Sequence, residues 1–148
     1  MNNKTRKYIL FLSAICSSLI ISNCATKRIT TMENIETQTS IRISSQEAYD
    51  LIERNLDNRD FIIIDVRTGK EYSSGHVKKS KMIDFNSQTF KNDLQGLDKN
   101  KTYLIYCRSG NRSGQALLLM KEMGFIRVYE INGGITDWIN NKFPVVNE

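Results

Sequence analysis

The fold of this chain is decided by residues 102–113, which read TYLIYCRSGNRS. The first five of these residues form an apolar and aromatic run, typical of a strand that is buried on both faces. A polar loop begins at Cys107, and residues 113–123 then place apolar side chains at the spacing of a helix packed on a sheet. A second run, FIIIDV at residues 61–66, predicts another buried strand. The chain is therefore predicted to alternate strands with helices.

Weaker patterns continue this alternation on either side. A helix is predicted to begin at Ser44, because a Ser followed three residues later by Glu47 is the pattern of a capping box. Gly124 is predicted to end the helix after the Cys107 loop. The remaining predictions are a loop at 67–79, a short apolar piece at 82–83, a helix near 88–94, a strand at 126–129 and a helix at 135–140. The pattern predicts an α/β fold, with a central parallel sheet of about five strands and helices on both faces.

Composition indicates one globular domain and argues against a nucleic-acid partner. The chain has 148 residues, 40% of them hydrophobic, and a formal net charge of +5. Three of its 21 basic residues, Lys4, Arg6 and Lys7, lie in the first 23 residues, which contain no acid. The rest of the chain nearly balances its charges and contains no dense run of Lys and Arg. Nucleic-acid binding is therefore not expected.

Residues 1–23 are predicted to be a secretory signal peptide. They have a basic start, a mostly apolar stretch at residues 8–21 and then small polar residues, which is the order found in such signals. The apolar stretch is interrupted by serines and is shorter than the about 20 apolar residues that a membrane-spanning helix needs. A cleaved signal is therefore favoured over a permanent anchor.

The end of this leader resembles the lipobox of bacterial lipoproteins. Residues 19–24 read LIISNC, with Asn23 in the place usually taken by Gly, Ala or Ser. The resemblance implies that Cys24 is lipidated and becomes the first residue of the mature chain. Its acyl chains would hold the protein at a membrane of the bacterial cell envelope, facing the periplasm or the outside. Residues 24–40 are then predicted to be a tether, followed by the domain at 41–148.

Cysteine and histidine counts argue against an internal disulfide and against a metal site. Of the three cysteines, Cys16 lies in the predicted signal peptide and Cys24 carries the predicted lipid, which leaves Cys107. His76 is the only histidine, so no set of zinc ligands is present and no metal is expected. A lone thiol in an oxidising compartment favours a chemical role for Cys107.

The residues around Cys107 predict nucleophilic chemistry on an anion. Cys107 lies where a predicted strand ends and a helix begins, which is where open α/β sheets bind ligands. Gly110 lets the backbone curl with its N–H groups inward, and such a nest at a helix N-terminus binds anions. Arg108 and Arg112 add guanidinium groups that suit paired hydrogen bonds to an oxyanion. Helix N-termini and nearby cations also lower the pKa of a thiol and favour the nucleophilic thiolate.

This loop resembles the active-site loop of the single-domain rhodanese family of sulfurtransferases. It reads CRSGNRS at residues 107–113. Three further motifs resemble that family in the expected order: FIIIDVR at 61–67, EYSSGHV at 71–77, and NGGITDW at 132–138 followed by FPV at 143–145. The resemblance extends over about residues 41–146.

The resemblance implies a thiosulfate sulfurtransferase without a cofactor. Cys107 would take a sulfane sulfur from a small anion such as thiosulfate and form a persulfide. The sulfur would then pass to a thiophilic acceptor such as cyanide or a thiol, and the thiol can belong to a protein. The N–H groups of the loop would cradle the persulfide, so the predicted substrate-binding residues are Arg108, Ser109, Gly110, Asn111, Arg112 and Ser113.

Three residues outside the loop are candidates for a supporting role. Asp65, at a strand end, is expected to order the active loop or to pair with an arginine. Arg67 is expected to form an ion pair with Glu71, four residues further on. His76 is expected to be a hydrogen-bonded structural residue rather than an acid or a base. The neighbouring basic residues are expected to form a solvated face: Lys78, Lys79 and Lys81.

Two other functions compete with sulfur transfer. Dual-specificity phosphatases resemble the pattern of a Cys and an Arg separated by five residues, whereas four residues lie between Cys107 and Arg112. The shorter loop suits a sulfur atom better than a tetrahedral phosphate. A binding module of the same fold without catalysis is the second alternative, and persulfidation of Cys107 would distinguish it from an enzyme.

Overall fold

The computed structural model describes residues 37–147, and these contain a five-stranded sheet. All four pairs of neighbouring strands are parallel. The strands are β1 Thr39–Ile43, β2 Phe61–Asp65, β3 Lys81–Met82, β4 Thr102–Tyr106 and β5 Arg127–Ile131. Their order across the sheet is β1-β5-β4-β2-β3. The strand that leads into Cys107, β4, is therefore the central one, and the predicted α/β fold is confirmed.

Helices connect these strands. Within residues 37–147 they are α1 Ser45–Glu53, α2 Gly69–Ser73, α3 Phe90–Gln95, α4 Asn111–Glu122 and α5 Gly134–Asn140. The predicted capping box is present, because the Ser44 hydroxyl accepts from the N–H of Glu47 while the Glu47 carboxylate accepts from the N–H of Ser44. Gly124 follows the end of α4 with φ of +85°, as expected of a glycine that ends a helix.

Two hydrophobic cores lie on the two faces of the sheet. Alternate residues of β4 point to opposite faces, so Tyr103 and Ile105 belong to one core and Leu104 and Tyr106 to the other. The first core is completed by α3 and α4, mainly through Phe90, Leu94, Ala116, Leu117 and Met120. The second is completed by α1 and α5, through Ala48, Ile135 and Trp138. Helices thus cover both faces of the sheet, as predicted.

Two elements were not predicted from the sequence. Strand β1 begins at Thr39, ahead of the predicted domain start at residue 41, and its backbone pairs with β5 along its whole length. It reads TSIRI and lies at the sheet edge, so it lacks the continuous apolar run of a buried strand. Helix α2 has five residues, which is too short to show a helical period. A capping box between Thr68 and Glu71 starts it.

The predicted signal peptide, the predicted lipidation site Cys24 and most of the predicted tether lie outside the described residues. Within residues 37–147, no helix has the length and apolar character needed to cross a membrane.

Two leucine truncations should show how much stability the cores supply. Leu104 in β4 is 0% exposed, whereas Leu118 in α4 is 61% exposed. Leu104→Ala should lower the free energy of unfolding by about 2–5 kcal/mol, because it removes buried methyl groups and leaves a cavity. Leu118→Ala, the matched control, should change it by less than about 0.5 kcal/mol. Urea unfolding measures both, and equal effects would contradict the described packing.

Candidate active site

Cys107 lies directly after the central strand, in the turn that leads into α4. It is 1% exposed. The backbone N–H of Gly110 donates to its Sγ at 3.2 Å, and the Ser113 hydroxyl lies 3.3 Å from the same atom. Two polar hydrogens from the loop and the first turn of α4 are therefore available to a negative charge on the sulfur.

The start of α5 holds this loop in place. The N–H of Ile135 donates to the carbonyl of Cys107 at 2.8 Å, and the N–H of Thr136 donates to the carbonyl of Arg108 at 3.0 Å. A Cβ on Gly134 would lie 2.4 Å from that Cys107 carbonyl oxygen and 2.8 Å from the backbone of Arg108. Only glycine permits so close an approach. With its carbonyls bound by α5, the loop turns N–H groups toward the sulfur.

The turn itself depends on Gly110. This residue has φ of +91°, in the left-handed region that L side chains disfavour. A Cβ there would also lie 3.3 Å from Glu130 Oε1 and 3.4 Å from the backbone nitrogen of Gly133. The glycine therefore allows the chain to reverse direction and to aim its N–H at Cys107.

These contacts alter the acidity of the thiol. Burial raises the pKa of Cys107, because it removes water from a thiolate. The Ser113 hydroxyl and the backbone N–H groups of Ser113, Ser109 and Gly110 lower it by more, so the net pKa lies below the usual value of a thiol. Cys107 is therefore set up as a nucleophile.

The second arginine of the loop is bound to a neighbouring helix. Arg112 donates to both carboxylate oxygens of Glu71, at 2.8 Å and 2.7 Å. This hydrogen bond is the main reason why the pKa of Glu71 falls to about 2, although burial opposes it. The predicted ion pair between Arg67 and Glu71 is wrong, because Glu71 pairs with Arg112 of α4, which lies 41 residues further along the chain.

Arg67 pairs instead with Asp65. Its Nη2 lies 2.6 Å from Asp65 Oδ2, its Nε donates to the same carboxylate at 2.9 Å, and the pair is buried. Arg67 also donates to the carbonyl of Gly75 at 2.7 Å. Asp65 therefore pairs with an arginine, one of the two roles expected of it, and the pair fixes the segment between β2 and β3 rather than touching the thiol.

His76 is a packed residue of the same segment. It is 4% exposed and its ring stacks on Tyr72 with centroids 3.7 Å apart. Its Nδ1 lies 3.1 Å from the Tyr72 carbonyl, and its backbone pairs with Val146. These contacts agree with the structural role expected of it.

Comparison with known proteins identifies the family. The model of the rhodanese-like domain matches residues 45–141. The chain belongs to this family. A sulfurtransferase of Allochromatium vinosum is 28% identical over 104 residues, which cover 70% of this chain and 95% of that protein. These matches support a function of the sulfurtransferase type.

Two further relatives show how far the similarity extends. The crystal structure of a rhodanese-related protein from Thermoplasma volcanium superposes with a TM-score of 0.63 at 27% identity, covering 72% of this chain and 98% of that one. The tRNA uridine(34) hydroxylase of Photorhabdus laumondii is 32% identical over 93 residues, or 59% of this chain. The match spans 26% of the hydroxylase. This similarity therefore concerns about a quarter of a longer protein.

The other predicted substrate-binding residues line the rim of the rhodanese-like loop. Arg108, Ser109 and Asn111 are exposed next to the buried Cys107. The Asn111 side chain accepts from Gln115 on the outer face of α4 at 2.8 Å. The structure therefore brings Gly110 and Ser113 into hydrogen-bond contact with the sulfur and leaves the side chains of Arg108, Ser109 and Asn111 at the surface.

Glu130 is a site residue that the sequence analysis missed. It lies in β5, is 0% exposed, and its Oε1 is 2.6 Å from the Ser113 hydroxyl oxygen. The sequence offered one signal, a lone acid in the short strand RVYEI, three residues before the Gly133-Gly134 pair. That signal does not show which face of the strand the acid occupies, so only the fold reveals its contact with Ser113.

Other parts of the described chain hold no comparable chemistry. Among residues 37–147, no group of three or more His, Cys, Asp or Glu side chains is placed to hold a metal ion. Cavities of about 290 Å³ and 350 Å³ lie beside Leu56 and Lys79, and neither is lined by a residue of the Cys107 loop. Lys79 itself donates to the carbonyl of Leu56 at 2.7 Å.

The Glu71 and Arg112 pair should make stability depend on pH. The pKa of Glu71 is about 2 in the folded chain against an ordinary value of 4.5, so its contribution is complete above pH 4.5 and is lost as the pH falls toward 2. Glu71→Gln should be less stable than the parent by about 1–2 kcal/mol at pH 7, a value that allows for solvent screening. The two proteins should be equally stable near pH 2.

Urea unfolding between pH 2 and pH 7 tests this, with Glu53→Gln as the control on an exposed acid in α1. A difference between Glu71→Gln and the parent that stays constant with pH would show that the ion pair does not form in solution.

Proposed function

We propose that this chain is a thiosulfate sulfurtransferase, which moves a sulfane sulfur through a persulfide on Cys107 to cyanide or to a thiol. The observation that carries the proposal is the arrangement at the sulfur: a buried thiol of lowered pKa receives hydrogen bonds from Gly110 and Ser113. A donor for a thiol that is 1% exposed must present its sulfur as a protruding atom. The outer sulfur of thiosulfate is such an atom.

The reaction divides into two displacements at sulfur. The Cys107 thiolate attacks the outer sulfur of thiosulfate, the sulfur–sulfur bond of the donor breaks, and sulfite leaves with the bonding electron pair. Cyanide or a thiolate then attacks the outer sulfur of the persulfide, and Cys107 leaves as a thiolate. Donors aimed at Sγ favour both steps, since the thiolate is the nucleophile in the first and the leaving group in the second.

Arg108 is proposed to receive the anionic donor. It is exposed beside Cys107, whereas both terminal nitrogens of Arg112 donate to Glu71. A guanidinium at the mouth of the loop would attract thiosulfate before the attack and would release sulfite to water after it.

The same ion pair counts against a phosphatase. Such an enzyme needs its loop arginine to hold the oxygens of a phosphate, and here both terminal nitrogens of Arg112 donate to Glu71. The alternative of a binding module without catalysis does not explain why the thiol pKa is lowered.

The activity named for the tRNA hydroxylases is not proposed for this chain, because the match covers 26% of their length.

Mass spectrometry of the intact protein tests the function. Incubation with thiosulfate should add the mass of one sulfur atom, and cyanide should remove it with release of thiocyanate. Cys107→Ser should gain nothing, and it also controls for sulfur bound at Cys16 or Cys24. A Cys107 that reacts with an alkylating agent but never gains sulfur would favour the binding module.

The proposal includes a location in the cell. The lipobox-like residues 19–24 favour attachment of the chain to a membrane of the bacterial cell envelope through lipid on Cys24. Bacterial cells that express the chain and are fed a labelled fatty acid should label it in the membrane fraction. Cys24→Ser should abolish the label, whereas Cys16→Ser should preserve it. Label retained in Cys24→Ser would refute lipidation at this residue.

A further inference from the structure

Glu130 is a buried carboxyl group that has no role in the two displacements at sulfur described above. It lies on β5, beside the central strand, and is 0% exposed. Its Oε2 lies 3.0 Å from Arg42 Nε on β1, but no well-aligned hydrogen bond reaches this oxygen. Its Oε1 lies 2.6 Å from the Ser113 hydroxyl oxygen. An ionised carboxylate here would be poorly satisfied, which is costly in a buried site.

Ser113 connects this carboxyl to the reactive sulfur. Its hydroxyl oxygen lies 2.6 Å from Glu130 Oε1 and 3.3 Å from Cys107 Sγ. A hydroxyl has one hydrogen, so Ser113 can donate to only one of these neighbours at a time. The other neighbour must then be protonated and donate to the Ser113 oxygen, or be a buried anion without this hydrogen bond.

We propose that Cys107 and Glu130 share one negative charge through Ser113, and that Glu130 takes up the proton when Cys107 becomes a thiolate. The Sγ–H bond breaks as its proton moves to the Ser113 oxygen, while the Ser113 hydroxyl proton moves to Glu130 Oε1. Cys107 loses one proton and Glu130 gains one, so the net charge of the buried site does not change. The inference rests on the proposed function in taking Cys107 as the nucleophile.

The charged groups around the pair are consistent with this exchange. Burial raises the pKa of Glu130, against the lowering effects of Ser113 and Arg42. The pKa of Cys107 is shifted in the opposite direction, downward. Arg112 is the cation that acts on Cys107 from α4, and Arg42 acts on Glu130 from β1 with its side chain 54% exposed. The two shifts bring the pKa values of the carboxyl and the thiol closer together, which is the direction that an exchange of one proton between them requires.

Glu130 is thereby a positioning residue that acts through Ser113. When its carboxyl is protonated, it donates to the Ser113 oxygen and leaves the Ser113 hydrogen facing Sγ. That arrangement stabilises Cys107 as the nucleophile toward the sulfur donor and again as the leaving group from the persulfide. An ionised Glu130 would instead take the Ser113 hydrogen and keep Cys107 in its thiol form.

The pH profile of Cys107 alkylation by iodoacetamide tests the exchange, with the adduct on Cys107 quantified by peptide mass. Glu130→Gln should shift the midpoint downward by about one pH unit, because the amide donates to Ser113 at every pH and carries no charge. In a Ser113→Ala background, the same substitution should shift the midpoint by less than half as much. Glu122→Gln, an exposed acid at the far end of α4, should leave it unchanged.

Arg42→Gln provides a second test, which can be used if Glu130→Gln does not fold. Without Arg42 the carboxylate loses its only described cation partner, so Glu130 should hold its proton more tightly and the midpoint should fall. A simple loss of positive charge near the sulfur predicts the reverse, a higher midpoint.

Three outcomes would contradict the proposal that the two residues share one charge. They are an alkylation midpoint that is unchanged or raised in Glu130→Gln, a shift by Glu130→Gln of equal size in the Ser113→Ala background, and a raised alkylation midpoint in Arg42→Gln. Alkylation reports the thiolate whether or not sulfur is transferred. A failure here is therefore distinct from a failure of the mass test for persulfide.

Discussion

Two hydrogen bonds from the first turn of α5 to the carbonyls of Cys107 and Arg108 are the constraint on which the site depends. A backbone loop can turn either its carbonyl oxygens or its N–H groups toward a bound atom. Carbonyl oxygens beside the sulfur would repel a thiolate. Because α5 binds these oxygens from outside, the loop turns N–H groups inward, and the absence of a Cβ on Gly134 allows the two segments to touch.

This constraint places neutral donors around the sulfur, and Arg112 of α4 adds a positive charge beside them. Other charged groups of this region are paired with each other: the buried Asp65 with Arg67, and the half-buried Glu71 with Arg112. An N–H from Gly110 and a hydroxyl from Ser113 can stabilise a thiolate without adding a buried charge, and the hydroxyl can also change the direction in which it donates.

The sequence predicted those parts of the structure that depend on neighbouring residues. The run from β4 through Cys107 to α4 is continuous in the chain, so its strand, glycine turn and helix could be predicted together, and with them the position of the candidate nucleophile Cys107. Contacts between distant segments could not be recognised. Spacing suggested Arg67 as the partner of Glu71, because the two are four residues apart, whereas the fold places Arg112 there from 41 residues away.

The same limit applies to β1 and to Glu130. Strand β1 forms through backbone pairing with β5, and its sequence TSIRI has no apolar run that would predict a strand by itself. Glu130 is an ionisable residue in a strand whose other buried residues are apolar, a conflict that indicates a special site but does not identify its partner. Ser113 and Glu130 meet only because β5 lies beside β4 in the sheet.

Tyr106, the residue before Cys107, anchors the end of β4. Its hydroxyl accepts from the N–H of Val77 at 3.1 Å and lies 3.1 Å from the Ser80 hydroxyl. Burial raises the pKa of Tyr106 well above its usual range, so this phenol stays protonated. The end of β4 is thus held by groups that do not titrate near neutral pH, while the proposed exchange between Cys107 and Glu130 moves protons across one hydroxyl and needs no movement of the backbone.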